Sequence, residues 1–418
     1  MKRVLIISPY FAPVNAADMH RVRMSLPYFK KFGWEAEVVC VNEKYVDLDM
    51  EPMFMQNISS KILIHRIKAF PKYFTIKFGL GSVALRSLWY YKTKVNQLLA
   101  EKKYDLVYFS TTQFPVCILG NYWKKKFNIP YVIDFQDPWH TEYYQDKPKN
   151  QRPKKYWLSY RLNKYLEPIA LKNVSGLISV SKNYINDINL RYPKLKNLPH
   201  QIIPFSAEYK DFEVALKSKF RCLLNNNKKI KILYAGVVGS IMIDSISKIL
   251  LAFKALPMEI QDRTELYFLG TSYAPKGTGI QSVLPIANLF KLANSIVEIT
   301  DRLSFYNTLN HLKISDGLVI IGSDDLSYIP SKIYTYLLAN KPIFSLLKQN
   351  SEGNNMLRNY TSIYQSNIED DQTSINQSFL LYVNSIIEKK DAVIKNKIRF
   401  TPEIMTKQQT EVFNSAIG

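Results

Sequence analysis

Cysteine is scarce in this chain of 418 residues, which contains only Cys40, Cys117 and Cys222, far apart and in apolar or mixed surroundings. So few thiols argue against a disulfide framework or a metal cluster and favour a reducing compartment. The chain also lacks any run approaching the roughly 20 apolar residues that a membrane-spanning helix requires. The apolar run at residues 4–7 is too short for a signal peptide and predicts a first strand. We therefore expect a cytoplasmic protein, either soluble or peripheral to a membrane.

Several catalytic motifs are missing as well. The sequence contains no G-x-x-x-x-G-K-[ST], no H-E-x-x-H, no C-x-x-C and no G-x-S-x-G. P-loop phosphate chemistry, zinc chemistry and the serine-hydrolase elbow therefore have no support. The Gly236 to Gly239 turn does not have the glycine spacing of a dinucleotide site. We expect neither a bound metal nor a cofactor.

Charge is plentiful but one-sided, with a formal net charge of +21. Residues 1–200 hold 32 Lys and Arg against 15 Asp and Glu, whereas the remainder holds 24 against 20. A basic half favours an anionic partner, either membrane lipid or nucleic acid, although a generally lysine-rich proteome would give a similar composition. No nucleic-acid-binding module is recognisable, so we expect an anionic membrane surface and no nucleic acid.

Residues 68–99 mix lysines with large aromatic and aliphatic residues. That density of basic and apolar side chains is typical of an element resting on anionic lipid. The alternative is a solvated helix whose aromatic face belongs to the core.

Short β-branched runs alternate with helical segments along the whole chain, and the pattern restarts near residue 231. This order predicts an α/β protein with two doubly wound parallel sheets. We predict a first domain at 1–205, a linker at 206–229, a second domain at 230–400 and an amphipathic terminal helix at 401–418. The predicted strands are 4–7, 35–41, 104–110, 130–134, 176–180, 202–204, 231–235, 265–270, 295–299, 317–321 and 342–347. Ligands bind at the carboxyl ends of such strands, so two facing domains would enclose a ligand in a cleft.

The stretch 321–344 contains the main phosphate-binding candidate. A buried strand ends at Ile321, and a helix is predicted to begin at Pro330 with Ser331 and Lys332 in its first turn. An ammonium, a hydroxyl and free backbone N–H groups at one point suit phosphate oxygens. An ordinary capped helix after a buried strand is the alternative interpretation.

Two loops of the first domain carry candidate substrate contacts. Asn15 and Ala16 precede a helix that bears His20 and Arg21, and a turn with such small side chains would let a substrate approach the backbone. An ordinary β–α turn with an exposed basic face is the other interpretation.

The second loop, 134–140, is the densest polar cluster behind a strand in this domain. Asp134 and Asp137 are placed to accept a hydroxyl proton, and Trp139 offers a face suited to a sugar ring. Asp134 could equally fix the turn.

Six segments follow one another in the order VLIISPYFAPVNAADMHRVR, KKFGWEAEVV, NIPYVIDFQDPW, LISVSKNYI, ILYAGVVG and IGSDDLSYIPSKIYTYLLANKP. Through these segments the chain resembles the glycosyltransferases of family 4. The resemblance implies a GT-B fold with a C-terminal domain for a UDP- or GDP-linked sugar, an N-terminal domain for the acceptor, and a last helix that crosses back. It also implies retention of anomeric configuration without an essential metal.

The chain departs from the family pattern at several positions. Ser327 and Thr335 stand where the family commonly has two glutamates, and the family's Arg and Lys pair is missing from the turn at 237–240. Gln136 stands where the family has a catalytic-region histidine. The resemblance leaves Lys332 and Arg302 as cations for the pyrophosphate. The expected catalytic residues are Asp137, Asp134 and Lys332; the expected donor-binding residues are Gly239, Ser240, Arg302, Ser323, Ser327, Ser331, Lys332 and Thr335; the expected acceptor-binding residues are Asn15, Ala16, His20, Arg21 and Trp139.

The resemblance implies transfer of a sugar to a lipid-linked or polysaccharide acceptor in surface glycan biosynthesis, at the inner face of the membrane. Two other functions stay open: a nucleotide-sugar epimerase of the same fold, and a catalytically weak binding or scaffold subunit of a polysaccharide assembly complex.

Overall fold

The computed structural model describes residues 1–142, 144–149, 152, 155–323, 330–358, 360, 363–389 and 400–418, with Phe78 described by its backbone alone. The chain forms two compact units, one of Met1–Ser206 with Phe400–Gly418 and the other of Ala207–Arg399. Each unit is built on one parallel sheet, which confirms the predicted α/β class with two doubly wound sheets.

The sheet of the first unit has seven parallel strands in the order β3-β2-β1-β4-β5-β6-β7. The strands are β1 (Lys2–Ile7), β2 (Trp34–Val41), β3 (Ile64–Ile67), β4 (Leu106–Ser110), β5 (Tyr131–Phe135), β6 (Gly176–Ser179) and β7 (His200–Ile202). The helices of this unit are α1 (Met19–Ser25), α2 (Lys72–Thr75), α3 (Val83–Glu101), α4 (Ile118–Phe127), α5 (Tyr156–Leu171), α6 (Lys182–Arg191) and the C-terminal α15 (Pro402–Ile417).

The sheet of the second unit has six parallel strands in the order β10-β9-β8-β11-β12-β13. The strands are β8 (Ile230–Ala235), β9 (Thr264–Leu269), β10 (Ile296–Ile299), β11 (Gly317–Ile321), β12 (Ile343–Leu347) and β13 (Ile363–Asn367). Its helices are α7 (Tyr209–Lys217), α8 (Ile243–Lys254), α9 (Met258–Gln261), α10 (Leu284–Leu289), α11 (Phe305–Ile314), α12 (Lys332–Ala339), α13 (Glu352–Leu357) and α14 (Gln372–Ile387).

Both sheets are covered by helices, so their central strands are buried and mostly apolar. Every residue of β4, β5, β11 and β12 is buried. Strands buried on both faces read as continuous apolar runs, which is why the sequence predicts them well. In each sheet the chain adds its first three strands in one direction and the later strands in the opposite direction. The order therefore reverses between β1 and β4 in the first sheet and between β8 and β11 in the second. Ligands bind at such reversal points in open parallel sheets.

The sequence prediction missed both β3 and β13, which lie at the edges of their sheets. Their residues are mostly half-buried, and their sequences, IHRI and IYQSN, lack an apolar run.

Helix limits also differ from the prediction. The predicted helix that bears His20 and Arg21 ends at Ser25, two residues before Pro27, and α12 begins at Lys332 rather than at Pro330.

Helix α15 packs on the sheet of the first unit. Phe413 is fully buried and its ring lies 5.4 Å from that of Trp34 and 4.9 Å from that of Tyr108. The helix approaches β6 so closely that a Cβ on Gly176 would lie 3.1 Å from Cγ1 of Val412. The far end of the chain thus completes the core of the first unit.

Residues 207–229, predicted as a linker, lie in the second unit. Asn310 on α11 donates through Nδ2 to the carbonyl oxygen of Ala215 on α7, 2.8 Å away, so α7 is joined to a helix of the second unit.

None of the described helices combines the length and apolar content needed to cross a bilayer.

Candidate functional site

At the reversal point of the second sheet, Lys332 lies against the turn that follows β8. Its Nζ is 3.8 Å from the ring centroid of Tyr234 and would be 2.5 Å from a Cβ on Gly236. Gly236 has φ +142°, a backbone conformation that residues with a side chain rarely adopt. Helix α12 is tied to the same strand end, because the Tyr336 hydroxyl accepts from the Ala235 N–H at 2.8 Å. Glycine at 236 therefore makes room for the Lys332 ammonium.

The environment of Lys332 is unfavourable for its charge. Burial lowers the pKa of the Lys332 ammonium from 10.5 to about 7. Within the described ranges, which omit 324–329, no carboxylate pairs with this ammonium. A half-buried, partly desolvated cation without a carboxylate is stabilised when an anion such as a phosphate binds beside it.

The other expected donor-binding residues lie on several loops of this unit and, for Thr335, within α12. Gly239 and Ser240 begin the turn that leads into α8, and the first helical N–H groups there receive no side-chain cap. Ser331 is exposed at the start of α12 and also makes no cap, while the Thr335 hydroxyl donates to the Lys332 carbonyl oxygen at 2.9 Å. Ser323 is buried, and Ser327 lies outside the described residues.

Arg302 follows β10 and is exposed. Its guanidinium lies over the ring of Tyr273, 5.3 Å from the centroid. The Tyr273 loop is joined to the β8 turn, because the Val238 N–H donates to the Thr271 carbonyl oxygen at 3.0 Å. Arg302 is thus held through Tyr273 at the same edge of the sheet as the Gly236 turn.

In the first unit, the buried carboxylate of Asp18 joins the loop after β1 to the loop after β4. Its Oδ2 accepts from the Thr111 hydroxyl at 3.0 Å, the Thr112 N–H at 3.0 Å and the Thr112 hydroxyl at 3.2 Å. This role of Asp18 is not apparent from the sequence, because Thr111 and Thr112 are far from it in the chain. Burial raises the pKa of Asp18, and its hydrogen bonds oppose that effect.

Arg21 and Asp134 form a fully buried ion pair beneath these loops. Nε of Arg21 lies 2.8 Å from Oδ2 of Asp134, and the Nη2 group donates to the Ile203 carbonyl oxygen at 2.8 Å. Asp134 also accepts from Ser110 and Gln136, each at 3.0 Å. Both charged side chains therefore interact with protein groups. The structure therefore places Arg21 and Asp134 beneath the loops as supports, not on a surface that a substrate reaches.

Asp137 has a different environment. Its side chain is exposed, yet desolvation by the surrounding protein, with a smaller contribution from the Asp18 charge, raises its pKa from 3.8 to about 6. His20 is half-buried, and burial together with Arg23 holds its pKa well below 6.5, so the imidazole is neutral at pH 7. Of the expected residues in this unit, Asp137 is the one suited to exchange a proton near neutral pH.

The remaining acceptor-binding candidates are engaged with the protein. Asn15 donates through Nδ2 to Oε1 of Glu51 at 2.7 Å, and Ala16 is buried. Trp139 is 3% exposed and stacks on Phe114 with the centroids 5.2 Å apart. Its ring is therefore part of the core and does not present a face to a sugar.

Among the described residues, no group of three or more His, Cys, Asp and Glu side chains is arranged to hold a metal ion.

No protein-family model matches the chain, and no curated protein matches it in sequence. Solved structures do match. The glycosyltransferase WaaG, involved in lipopolysaccharide biosynthesis, is 12% identical with a TM-score of 0.58, covering 98% of each chain. HepE from Anabaena, in complex with UDP-glucose, is 13% identical with a TM-score of 0.56, covering 99% of this chain and 94% of its own.

An enzyme with a different reaction also matches, the UDP-GlcNAc 2-epimerase from Methanocaldococcus jannaschii. It is 11% identical with a TM-score of 0.54, covering 98% of this chain and 100% of its own. At such identities the likeness shows the fold alone. The chain has the GT-B fold that these glycosyltransferases and epimerases share.

Proposed function

We propose that the protein is a glycosyltransferase that moves a sugar from a UDP- or GDP-linked donor to a lipid-linked or polysaccharide acceptor in surface glycan biosynthesis. The observation that carries the proposal is the Lys332 ammonium, held against Gly236 at the reversal point of the second sheet. The binding of UDP-glucose by HepE, which has the same fold, supports a nucleotide sugar as the ligand.

The donor diphosphate binds beside Lys332 and the uncapped N–H groups at the start of α8. As the bond from the anomeric carbon to the diphosphate oxygen breaks, negative charge grows on that oxygen, and the Lys332 ammonium stabilises it. The acceptor oxygen forms the new bond on the same face of the sugar, so configuration is retained and no metal is needed. Arg302 gives a second cation for the diphosphate.

In the first unit, Asp137 is the residue suited to receive the proton of an acceptor hydroxyl bound to that unit. A carboxylate whose pKa is about 6 is mostly ionised at pH 7 and holds a proton better than an ordinary aspartate. The basic first unit keeps the enzyme peripheral on the inner face of the membrane, where a lipid-linked acceptor resides.

The test is a thermal-shift screen of the full chain against UDP, GDP and their common sugar conjugates. We expect one nucleotide to raise Tm, Lys332→Ala to abolish the rise, and Lys228→Ala, which alters an exposed lysine of the same unit, to preserve it. No shift with any nucleotide, together with no transfer or hydrolysis of any sugar conjugate, would refute the proposal.

A nucleotide-sugar epimerase is the second candidate, favoured by the shared fold of the UDP-GlcNAc 2-epimerase. Incubation of the enzyme with the donor alone separates the two functions. Conversion to an epimeric nucleotide sugar without any acceptor would establish the epimerase, whereas turnover that depends on a glycan acceptor would establish the transferase.

A further inference from the structure

The connection between β3 and α3, together with the start of α3, exposes a set of large apolar side chains, which we call the aromatic patch. Three of its aromatic side chains, those of Tyr73, Phe74 and Trp89, are 65%, 58% and 58% exposed. The patch consists of Phe70, Tyr73, Phe74, Ile76, Leu80 and Trp89. A monomeric soluble protein rarely leaves so many large apolar side chains together in water unless they contact a partner.

The patch is held in place from below. The buried Arg86 donates through Nη1 to the Phe70 carbonyl oxygen and through Nη2 to that of Tyr45, each at 2.8 Å. The ring of Tyr90 lies 5.2 Å from that of Phe70 and 4.9 Å from that of Trp89. The exposed aromatics are therefore anchored to the core of the first unit.

The turn at Gly79, between Ile76 and Leu80 of the patch, rests on helix α5. A Cβ on Gly79 would lie 3.0 Å from Cδ2 of Leu158 on that helix. The patch therefore has the rigid support of a second helix.

The charge around the patch has one sign. Residues 52–100 contain eight Lys and Arg and no Asp or Glu. Exposed lysines surround the apolar side chains at Lys68, Lys72, Lys77 and Lys92, and of these Lys72 pairs with Asp47 at 2.8 Å. Lysines that flank aromatic side chains match a surface whose head groups are anionic and whose interior is hydrocarbon.

We infer that the aromatic patch inserts into the interface of an anionic lipid bilayer. Transfer of the aliphatic side chains of Ile76 and Leu80 from water into hydrocarbon lowers the free energy of binding. Attraction between the lysines and anionic head groups lowers it further. A second copy of the chain would bring the same positive charge and be repelled. The inference rests on the proposed function for its setting, because a lipid-linked acceptor lies in the same membrane.

The test is flotation of the full chain with vesicles of phosphatidylcholine alone or with about one-third phosphatidylglycerol. We expect binding to the anionic vesicles, weakened by salt, and little binding to the neutral ones. Replacing Tyr73→Ser and Phe74→Ser together lowers the partition coefficient at least about tenfold. The pair Lys68→Gln and Lys77→Gln lowers it and reduces its salt dependence.

The matched control changes two exposed apolar residues of α7 in the second unit, Tyr209→Ser with Leu216→Ser. This variant binds vesicles like the wild type. An equal loss of vesicle binding in the control variant would overturn the inference. So would a wild-type protein that does not bind anionic vesicles at low salt. If the protein were retained on duplex DNA but did not bind anionic vesicles, nucleic acid and not a membrane would be the partner of the aromatic patch.

Nucleotide binding separates this inference from the proposed function. The Tyr73 and Phe74 variant keeps the same Tm and the same UDP- or GDP-induced shift as the wild type. Vesicle binding without any nucleotide-induced shift and without transfer or hydrolysis of any sugar conjugate would refute the proposed function alone. A nucleotide-induced shift without vesicle binding would refute the membrane contact alone.

Discussion

At the scale of single residues, Lys332 shows how a residue of a candidate binding site can reduce the stability of the fold that contains it. Its folded-state pKa of about 7 lies below the ordinary value of 10.5. The unfolded chain therefore binds the proton more tightly than the folded protein between these values. The resulting penalty is fully present below pH 7 and disappears as pH rises toward about 10.5.

Replacing Lys332→Met is expected to stabilise the protein and abolish the nucleotide-induced shift. The gain in unfolding free energy is about 1–3 kcal/mol at pH 6 and falls toward zero near pH 10. Chemical denaturation of both proteins across this pH range measures it, with Lys228→Met as the control that gives no pH-dependent difference. A variant that is less stable than the wild type at pH 6 would contradict the assigned burial of the ammonium.

The Arg21 and Asp134 pair is expected to behave as one buried unit. Asp134→Asn or Arg21→Met alone costs about 3–5 kcal/mol of unfolding free energy, because each leaves the other charge buried without its partner. The double variant loses less than the sum of the two single losses. Urea unfolding of the four proteins gives the coupling, and strict additivity would show that the two charges do not interact.

At the scale of elements, the turn after β8 is defined by Gly236. Alanine there meets both the φ of +142° and the Lys332 ammonium, so Gly236→Ala is expected to cost about 1–3 kcal/mol and to weaken nucleotide binding. Gly33→Ala is the matched control, since Gly33 also has a positive φ of 82° but nothing within 4 Å of its added Cβ. Thermal melts with and without nucleotide compare the two. Equal nucleotide shifts in both variants would show that the Gly236 turn does not serve the ligand.

Secondary-structure elements were predictable where burial is complete and less so elsewhere. β11 (Gly317–Ile321) was predicted with its observed limits, because both faces of that strand are covered. The edge strand β13 carries polar residues and gives no such signal. The helix after β1 ends at Ser25, because Pro27 interrupts it.

At the scale of the whole molecule, the first unit is closed by residues from the far end of the chain. Phe413→Ala is expected to destabilise that unit by about 3–5 kcal/mol, because its ring fills the space between Phe29, Trp34 and Tyr108. Ile404→Ala, on the exposed side of the same helix, is expected to cost less than about 1 kcal/mol. Unfolding followed by tryptophan fluorescence measures both, and similar losses would show that α15 contributes no packing to the core.

The two parallel sheets could be predicted from the sequence, because a parallel sheet covered on both faces requires apolar runs that alternate with helices. Lys332 could be named from the sequence as a candidate phosphate contact, because a lysine at the start of a helix is a local feature. The roles of Arg21, Asp18 and Trp139 depend on tertiary contacts. The partner of Arg21 lies at residue 134 and the partner of Asp18 at residues 111 and 112. Whether a polar or aromatic side chain faces a ligand or the core depends on such distant contacts, which composition and spacing do not encode.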